Sequence, residues 1–321
     1  MMNVKSAFLT ELSHRVEEIY FSLKHFRCRR GVGRAGRRMI VQIVENGHFY
    51  SGGMADRFKG AVTAYAWSKV NDADFRIRYI HPFELSAYLE PSEYDWRLRD
   101  GEYSESIRDV RVLYARGESG RRLVKLKGDR QIHFYGNMNC LEYMNQTYGT
   151  DFKWGELYRE LFKPGKRLEE CLEVQKKAMG TDDYVSAVFR FQNMLGDFRE
   201  YSFKSLEDKQ ERETLICKCI GALKELSSRW QDSKILVTSD SSTFLSRVSS
   251  LERVYVIPGK VVHIGSETGE DYDVYMKSFV DFYMISQSRH VYCVGTSDMY
   301  PSEFPMYAAK INEIPFERVL I

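Results

Sequence analysis

Short apolar runs alternate with longer amphipathic stretches along most of this chain. Residues 39–44, Met-Ile-Val-Gln-Ile-Val, have the composition of a buried strand, and from residue 54 to 69 apolar and small residues recur at helical spacing. The alternation predicts further strands at residues 75–79, 110–114, 131–135, 184–191, 234–239, 254–257 and 290–294. It predicts further helices at residues 82–89, 206–230, 242–251, 274–288 and 304–311. Strands that alternate with helices are typical of α/β proteins with parallel sheets.

The chain of 321 residues is long enough to divide into two lobes. Pro164-Gly165 ends one predicted helix, and a second, polar helix begins at Arg167. We therefore predict a lobe boundary at this point. The predicted parts are a basic N-terminal helical segment at residues 1–38, a first α/β lobe at residues 39–165 and a second α/β lobe at residues 166–321.

Composition narrows the class of protein. With 43% hydrophobic and 29% charged residues the chain has material for packed cores, and no apolar run reaches the roughly 18 residues of a membrane-spanning helix. Glu11, Glu17 and Glu18 interrupt the start of the chain, unlike the uncharged core of a secretory signal. The six cysteines are scattered, and the spacing of Cys217 and Cys219 on a helix favours buried thiols over metal ligands. We expect a globular, cytoplasmic protein.

The net charge of +2 conceals a local asymmetry, because residues 1–40 hold nine Lys or Arg against three Glu. Six of the nine are the arginines Arg27, Arg29, Arg30, Arg34, Arg37 and Arg38. This run fits a phosphate-bearing partner or peripheral contact with an anionic membrane surface, and it fits a solvated basic edge equally well. Aromatic residues do not interleave with it, so no nucleic-acid partner is expected.

In parallel α/β sheets, ligands bind beyond the carboxyl ends of the strands. Arg190 lies at the end of the predicted strand 184–191, and Asp197 lies seven positions further on. A guanidinium presents five N–H donors in a fixed fork that suits a phosphate, and it stays charged at any cellular pH. The alternative is an arginine paired with a structural carboxylate.

Two further loops in the second lobe carry polar side chains. Asp240 lies between a strand and a helix, where it either caps the helix or accepts from the hydroxyls or base N–H groups of a nucleotide. The two roles can coexist. Thr296, Ser297 and Ser302 follow the last predicted strand and precede a helix, where hydroxyls and free N–H groups favour an anion.

In the first lobe, Gly52 and Gly53 form a strand-to-helix turn, with Asp56 and Arg57 one helical turn later. Two glycines let the backbone approach a ligand closely. The segment is neither G-x-G-x-x-G nor a P-loop, so neither of those nucleotide sites is predicted. The seven histidines show no ligand spacing, so no metal site is expected.

Four parts of the chain carry a family resemblance when they are taken in order. They are residues 52–60 (Gly-Gly-Met-Ala-Asp-Arg-Phe-Lys-Gly), 189–191 (Phe-Arg-Phe) with Asp197, 237–240 (Val-Thr-Ser-Asp), and 277–282 (Lys-Ser-Phe-Val-Asp-Phe) leading to 302–309 (Ser-Glu-Phe-Pro-Met-Tyr-Ala-Ala). Over about residues 40–315 the chain resembles the metal-independent α-1,2/α-1,6/protein O-fucosyltransferase superfamily. Within it, the bacterial branch of nodulation fucosyltransferases is the most similar.

The resemblance implies an α/β fold of the GT-B type, with two Rossmann-like lobes facing across a cleft. It implies a glycosyltransferase that moves fucose from GDP-fucose to an oligosaccharide or glycan acceptor with inversion, using no metal or other cofactor. The C-terminal lobe is expected to hold the donor, and the acceptor is expected to enter from the N-terminal lobe.

The resemblance also implies roles for individual residues. Arg190 is expected to bind the diphosphate and stabilise the departing GDP, while Asp240 contacts the nucleoside. Asp197 or Glu200 is the candidate general base. The remaining residues expected to contribute to donor binding are Gly52, Gly53, Asp56, Arg57, Thr296, Ser297, Ser302 and Phe304.

Three residues depart from the superfamily pattern. Phe189 stands where a nucleotide-binding histidine is usual, and Glu303 and Pro305 replace the glycine and second serine of Ser-Gly-Phe-Ser. Two alternatives therefore stay open. One is a GT-B-type transferase that uses another nucleotide sugar, and the other is a non-catalytic homologue that binds a nucleotide or a glycan.

Overall fold

A computed structural model of the chain divides into two compact units, Met1–Lys163 and Pro164–Ile321. Each unit has its own parallel sheet. The described residues are 4–24, 38–45, 52–115, 121–127, 130–197, 204–260, 262, 264 and 273–321. Within α1, side chains are described only for residues 12, 13 and 15–24. Of the six arginines in the predicted basic run, only Arg38 lies within the described residues.

The first unit contains a four-stranded sheet and a small two-stranded one. Its elements are α1 (Val4–Lys24), β1 (Met39–Val44), α2 (Met54–Val70), β2 (Asp74–Tyr79), β3 (Leu89–Pro91), β4 (Val110–Ala115), α3 (Arg121–Val124), β5 (Gln131–Gly136), α4 (Leu141–Tyr148), α5 (Trp154–Leu161) and β6 (Phe162–Pro164). The larger sheet has the order β2-β1-β5-β4 with all its pairs parallel, and β3 pairs with β6.

Helix α2 packs directly on the larger sheet of this unit. Nearly all of its residues are buried, which matches the many alanines in its sequence. A Cβ added at Gly60 would lie 1.9 Å from the Gly136 carbonyl oxygen at the end of β5, so only glycine allows this approach. The predicted helix at residues 82–89 is wrong, because only a short 3₁₀ turn, Leu85–Ala87, forms before β3 begins.

The second unit contains a five-stranded parallel sheet. Its elements are α6 (Lys166–Met179), β7 (Tyr184–Phe189), α7 (Lys209–Arg229), β8 (Lys234–Ser239), α8 (Ser242–Val248), β9 (Val254–Tyr255), α9 (Asp273–Ser286), β10 (Val291–Gly295), α10 (Phe304–Ile311) and β11 (Phe316–Leu320). The strand order is β11-β10-β7-β8-β9.

This order places β7 at the centre of the sheet. From β7 the chain moves outward through β8 to β9, then crosses back to β10 and β11 on the other side of β7. Every residue of β7 is buried, as expected for a strand covered on both faces. The strand order reverses between β7 and β10, and such a switch point is where open parallel sheets bind ligands.

Candidate functional site

The loops that leave β7, β8 and β10 meet along one edge of the second unit's sheet. In the sheet register, Phe189 at the end of β7 pairs with Ser239 of β8 and with Val294 of β10. The residues that follow these strands, Arg190, Asp240 and the turn at Thr296, therefore share the carboxyl edge. The structure brings together the predicted loops of this unit at its topological switch point.

Arg190 is paired with a carboxylate. Its Nη1 lies 3.1 Å from Asp240 Oδ2, and the side chains of Arg190 and Asp240 are 20% and 5% exposed. The pairing that the sequence left as an alternative is therefore present. Arg190 nevertheless keeps part of its side chain exposed at the carboxyl edge of the sheet.

Asp240 fixes the loop that carries Arg190. Its two carboxylate oxygens accept from the backbone N–H groups of Phe191 at 2.8 Å and Gln192 at 2.7 Å, in addition to the Arg190 guanidinium. Burial raises the pKa of the Asp240 carboxyl, and Arg190 with the two N–H groups acts against that rise. These contacts occupy the Asp240 carboxylate and disfavour its direct contact with a nucleoside. The predicted role of Asp240 in nucleoside binding stays a prediction.

The side chain of Asp197, which belongs to the loop after β7, lies at the start of helix α8. Its carboxylate accepts from the Ser241 hydroxyl at 2.6 Å, the Ser242 hydroxyl at 2.7 Å, and the N–H and hydroxyl of Thr243, both at 2.9 Å. Burial tends to raise the pKa of Asp197, but these hydrogen bonds outweigh it and hold the pKa below its ordinary value. The geometry is that of a helix cap and disfavours a general base. The alternative base, Glu200, lies outside the described residues.

The loop after β10 presents hydroxyls of different accessibility. Thr296 is half-buried and Ser297 is exposed, whereas Ser302 is buried. The Ser302 hydroxyl accepts from the Phe304 N–H at 3.3 Å, at the start of α10. The Phe304 ring packs against Phe282 with centroids 5.0 Å apart. Of the three hydroxyl residues predicted here, Thr296 and Ser297 therefore stand nearer to solvent than Ser302.

The glycine turn belongs to the first unit and is closed by its own side chains. Gly52 has a φ of +76°, and the Gly53 N–H donates to Asp56 Oδ2 at 3.1 Å. Arg57 is buried and donates to the Gly52 carbonyl oxygen, the Tyr79 hydroxyl and the His81 carbonyl oxygen. Asp56 and Arg57 therefore build the turn, and their predicted contact with a donor nucleotide stays a prediction.

One charged pair near the carboxyl edge was given no role by the sequence. On α9, Lys277 Nζ lies 3.0 and 2.8 Å from the two carboxylate oxygens of Asp281. Lys277 is buried against Gly259 in the loop after β9, where an added Cβ would lie 3.4 Å from Lys277 Cδ. Burial raises the pKa of Asp281, and Lys277 opposes this. The feature of the sequence that could have identified this pair is a lysine and an aspartate four residues apart within an otherwise apolar helix.

Within the described part of the chain, no three His, Cys, Asp or Glu side chains converge as a metal site would require. Over the same residues, no helix combines the length and apolarity needed to cross a bilayer.

Comparison with known proteins finds relatives at the level of structure. No protein-family profile matches the chain, and no curated protein matches its sequence significantly. The NodZ α-1,6-fucosyltransferase co-crystallised with GDP is 12% identical over 85% of this chain and 92% of that one, with a TM-score of 0.55. A mutant of Arabidopsis thaliana FUT1 in complex with GDP is 12% identical over 94% of this chain and 74% of that one, with a TM-score of 0.57.

These matches extend over both units of the chain. The predicted fold class, an α/β protein of the GT-B type with parallel sheets, is confirmed. The resemblance to the fucosyltransferase superfamily is confirmed at the level of the fold.

Proposed function

We propose that this protein is an inverting glycosyltransferase that moves fucose from GDP-fucose to a carbohydrate acceptor, and that it needs no metal ion to do so. Two findings support the proposal. The fold is shared with fucosyltransferases whose structures were determined with GDP. Arg190 lies at the carboxyl edge of β7, beside the switch point where ligands bind in sheets of this topology.

The proposed reaction is a single displacement. The acceptor hydroxyl oxygen forms a bond to the anomeric carbon of fucose, while the bond from that carbon to the β-phosphate oxygen breaks. GDP leaves with the bonding electron pair, and the acceptor hydroxyl proton passes to a base. Negative charge therefore accumulates on the β-phosphate as the reaction proceeds.

The position of Arg190 is the observation that carries the proposal. A guanidinium fixed before the reaction stabilises the charge that develops on the leaving diphosphate more than the charge of the bound donor. Asp240 contributes by holding the Arg190 loop through three hydrogen-bonding contacts. Loss of one such preorganised group typically costs about 3 kcal/mol of transition-state stabilisation.

The other residues predicted to bind the donor differ in how accessible their side chains are. In this proposal Thr296 and Ser297, whose side chains reach solvent, donate to a phosphate, whereas Ser302 is engaged with the start of α10. Asp197 as general base remains a prediction, and the proposed mechanism does not depend on it.

The test is GDP binding by isothermal titration calorimetry in the presence of EDTA. Wild-type protein is expected to bind GDP, and Arg190→Ala is expected to weaken binding at least tenfold. A suitable control is Arg122→Ala, because Arg122 is 23% exposed and also pairs with a carboxylate, that of Glu18, but lies in the first unit. Equal affinity in the wild type and Arg190→Ala would refute the proposed role of Arg190.

A second candidate is a nucleotide-binding protein without turnover. It is favoured by the geometry of Asp197, which leaves the proposed site without an assigned base, and by Phe189, which is fully buried in the core. Tight GDP binding with neither hydrolysis nor transfer would favour this candidate. A panel of nucleotide sugars separates GDP-fucose from other donors.

The place of action is part of the proposal. We propose a cytoplasmic enzyme, and contact of its basic run with the inner membrane surface stays a prediction. That run lies mostly outside the described residues. Co-sedimentation with anionic vesicles, before and after removal of residues 1–38, tests it.

A further inference from the structure

Helix α1 carries a stripe of exposed apolar side chains. Of the ten large apolar side chains exposed among the described residues, five lie on this one helix. They are Leu12 (50% exposed), Val16 (58%), Ile19 (61%), Tyr20 (43%) and Leu23 (53%). We refer to these five residues as the α1 stripe. Such clustering of apolar surface on one element marks an interaction site more often than chance exposure does.

The spacing of the stripe is that of a coiled coil. In the sequence, apolar residues recur at positions 9, 12, 16, 19, 23 and 26, with alternating steps of three and four. This is the a and d pattern of a heptad repeat, with Val16 at a and Ile19 at d. Every member of the stripe except Tyr20, at the adjacent e position, lies at a or d, and an a/d seam is narrower than the apolar face with which a helix packs onto a sheet or lies in a membrane surface.

The opposite face of α1 anchors the helix to its own unit. Phe21 is buried and stacks on Tyr135 of β5 with ring centroids 4.2 Å apart. Glu18 forms an ion pair with Arg122 and accepts from the Tyr114 N–H at 3.1 Å. Because these contacts occupy the inner face, the α1 stripe is presented outward on a fixed helix.

We propose that the α1 stripe binds the α1 stripe of a second copy of this chain, as a two-stranded coiled coil. Each of the five side chains leaves about 100 Å² exposed, so complete burial in both copies would remove at most roughly 1,000 Å² from water, which is the lower limit for a specific interface. The heptad spacing supplies the self-complementarity that a symmetric dimer requires.

The charges of α1 favour a second copy over a lipid surface. Residues 4–24 contain three basic residues and three acidic ones, so the helix itself offers no net attraction to anionic lipid. In a parallel pair, Arg15 at position g lies next to Tyr20 at position e of the second copy, where a cation can contact an aromatic ring. No like charges face each other across the seam.

Sedimentation equilibrium of the full-length protein tests the proposal. Wild type is expected to be dimeric at micromolar concentration. Val16→Glu places a charge in the seam and is expected to raise the dimer dissociation constant at least tenfold. Val174→Glu is a matched control, because Val174 is also a half-exposed valine on a helix (61% exposed) but lies on α6, in the second unit. It is expected to leave the dimer intact.

Circular dichroism melting establishes that Val16→Glu is folded, and Val16→Thr, which nearly preserves the shape, provides a milder second variant. A monomeric wild type, or a Val16→Glu variant that dimerises as well as wild type, would overturn the proposal. Binding to vesicles of phosphatidylcholine with phosphatidylglycerol tests whether the stripe contacts a lipid surface instead of a second copy. If wild type is monomeric and Val16→Glu loses vesicle binding that Val174→Glu retains, the stripe contacts lipid and the dimer is excluded.

Discussion

The pairing of Arg190 with Asp240 is open to a double-mutant cycle. The cycle compares wild type, Arg190→Ala, Asp240→Asn and the double variant. Removing one partner of a fully buried ion pair costs about 3–5 kcal/mol. Arg190 keeps a fifth of its side chain exposed, so water screens the charge in part. We therefore expect each single change to cost about 2–3 kcal/mol and the coupling between the two to be about 2 kcal/mol.

Hydrogen exchange measured by mass spectrometry is the appropriate assay, because peptides from β7 and β8 report the opening of the second unit alone. Asp240→Asn is expected to expose the amides of Phe191 and Gln192 as well, since both donate to the Asp240 carboxylate. GDP affinity of the same variants then shows how far the ion pair serves binding as well as stability.

A matched control is the exposed pair Arg289–Asp183 in the same unit, with its nitrogen and oxygen 3.0 Å apart and side chains 57% and 52% exposed. The same cycle there is expected to give a coupling of less than about 1 kcal/mol. A coupling below about 0.5 kcal/mol between Arg190 and Asp240, with unchanged exchange at the two amides, would refute the inference that Asp240 fixes the arginine.

Three further predictions concern stability. Asp197→Asn is expected to lower the free energy of unfolding by about 1 kcal/mol at neutral pH. Because the pKa of Asp197 is lowered in the folded state, wild type should lose this extra stability as the pH falls through the folded pKa. Parallel profiles of melting temperature against pH for the two proteins would contradict this. Gly60→Ala is expected to destabilise by at least about 2 kcal/mol in chemical denaturation, since its Cβ would clash with a carbonyl oxygen, whereas Gly221→Ala in α7 meets nothing and should stabilise by up to about 1 kcal/mol. Lys277→Met leaves the Asp281 carboxylate without its partner and is expected to lower the free energy of unfolding by about 3 kcal/mol. The double variant Lys277→Met/Asp281→Leu is expected to recover much of that stability. A double variant no more stable than Lys277→Met would argue against the importance of the pair.

Most of the fold was predictable because buried parallel strands have distinctive sequences. The strand at residues 234–239 and the helix at 304–311 form with the predicted bounds. Strand β11, Phe316–Leu320, was missed because it is an edge strand with Glu317 and Arg318 exposed at its centre. Backbone pairing with β10 stabilises its extended conformation, which its own composition does not indicate.

The placement of the candidate residues at the carboxyl edge of the sheet was predictable from the sequence, but their contacts were not. Arg190 and Asp240 were both selected because each follows a strand, yet their pairing depends on the register of β7 against β8, which no local pattern records. The prediction of Asp197 as a base rests on the family resemblance and on its position in the loop that follows Arg190. Its hydrogen bonds come from three residues at the start of α8, more than 40 positions later in the chain.

The ion pair at the end of β7 also determines how the second unit presents itself to an anion at a distance. A lone guanidinium at that edge would attract phosphates from about a Debye length away, roughly 8 Å at physiological ionic strength. With Asp240 beside it, Arg190 contributes a dipole whose field decays much faster with distance. If the proposed function holds, capture of an anionic nucleotide there relies on short-range fit more than on electrostatic steering.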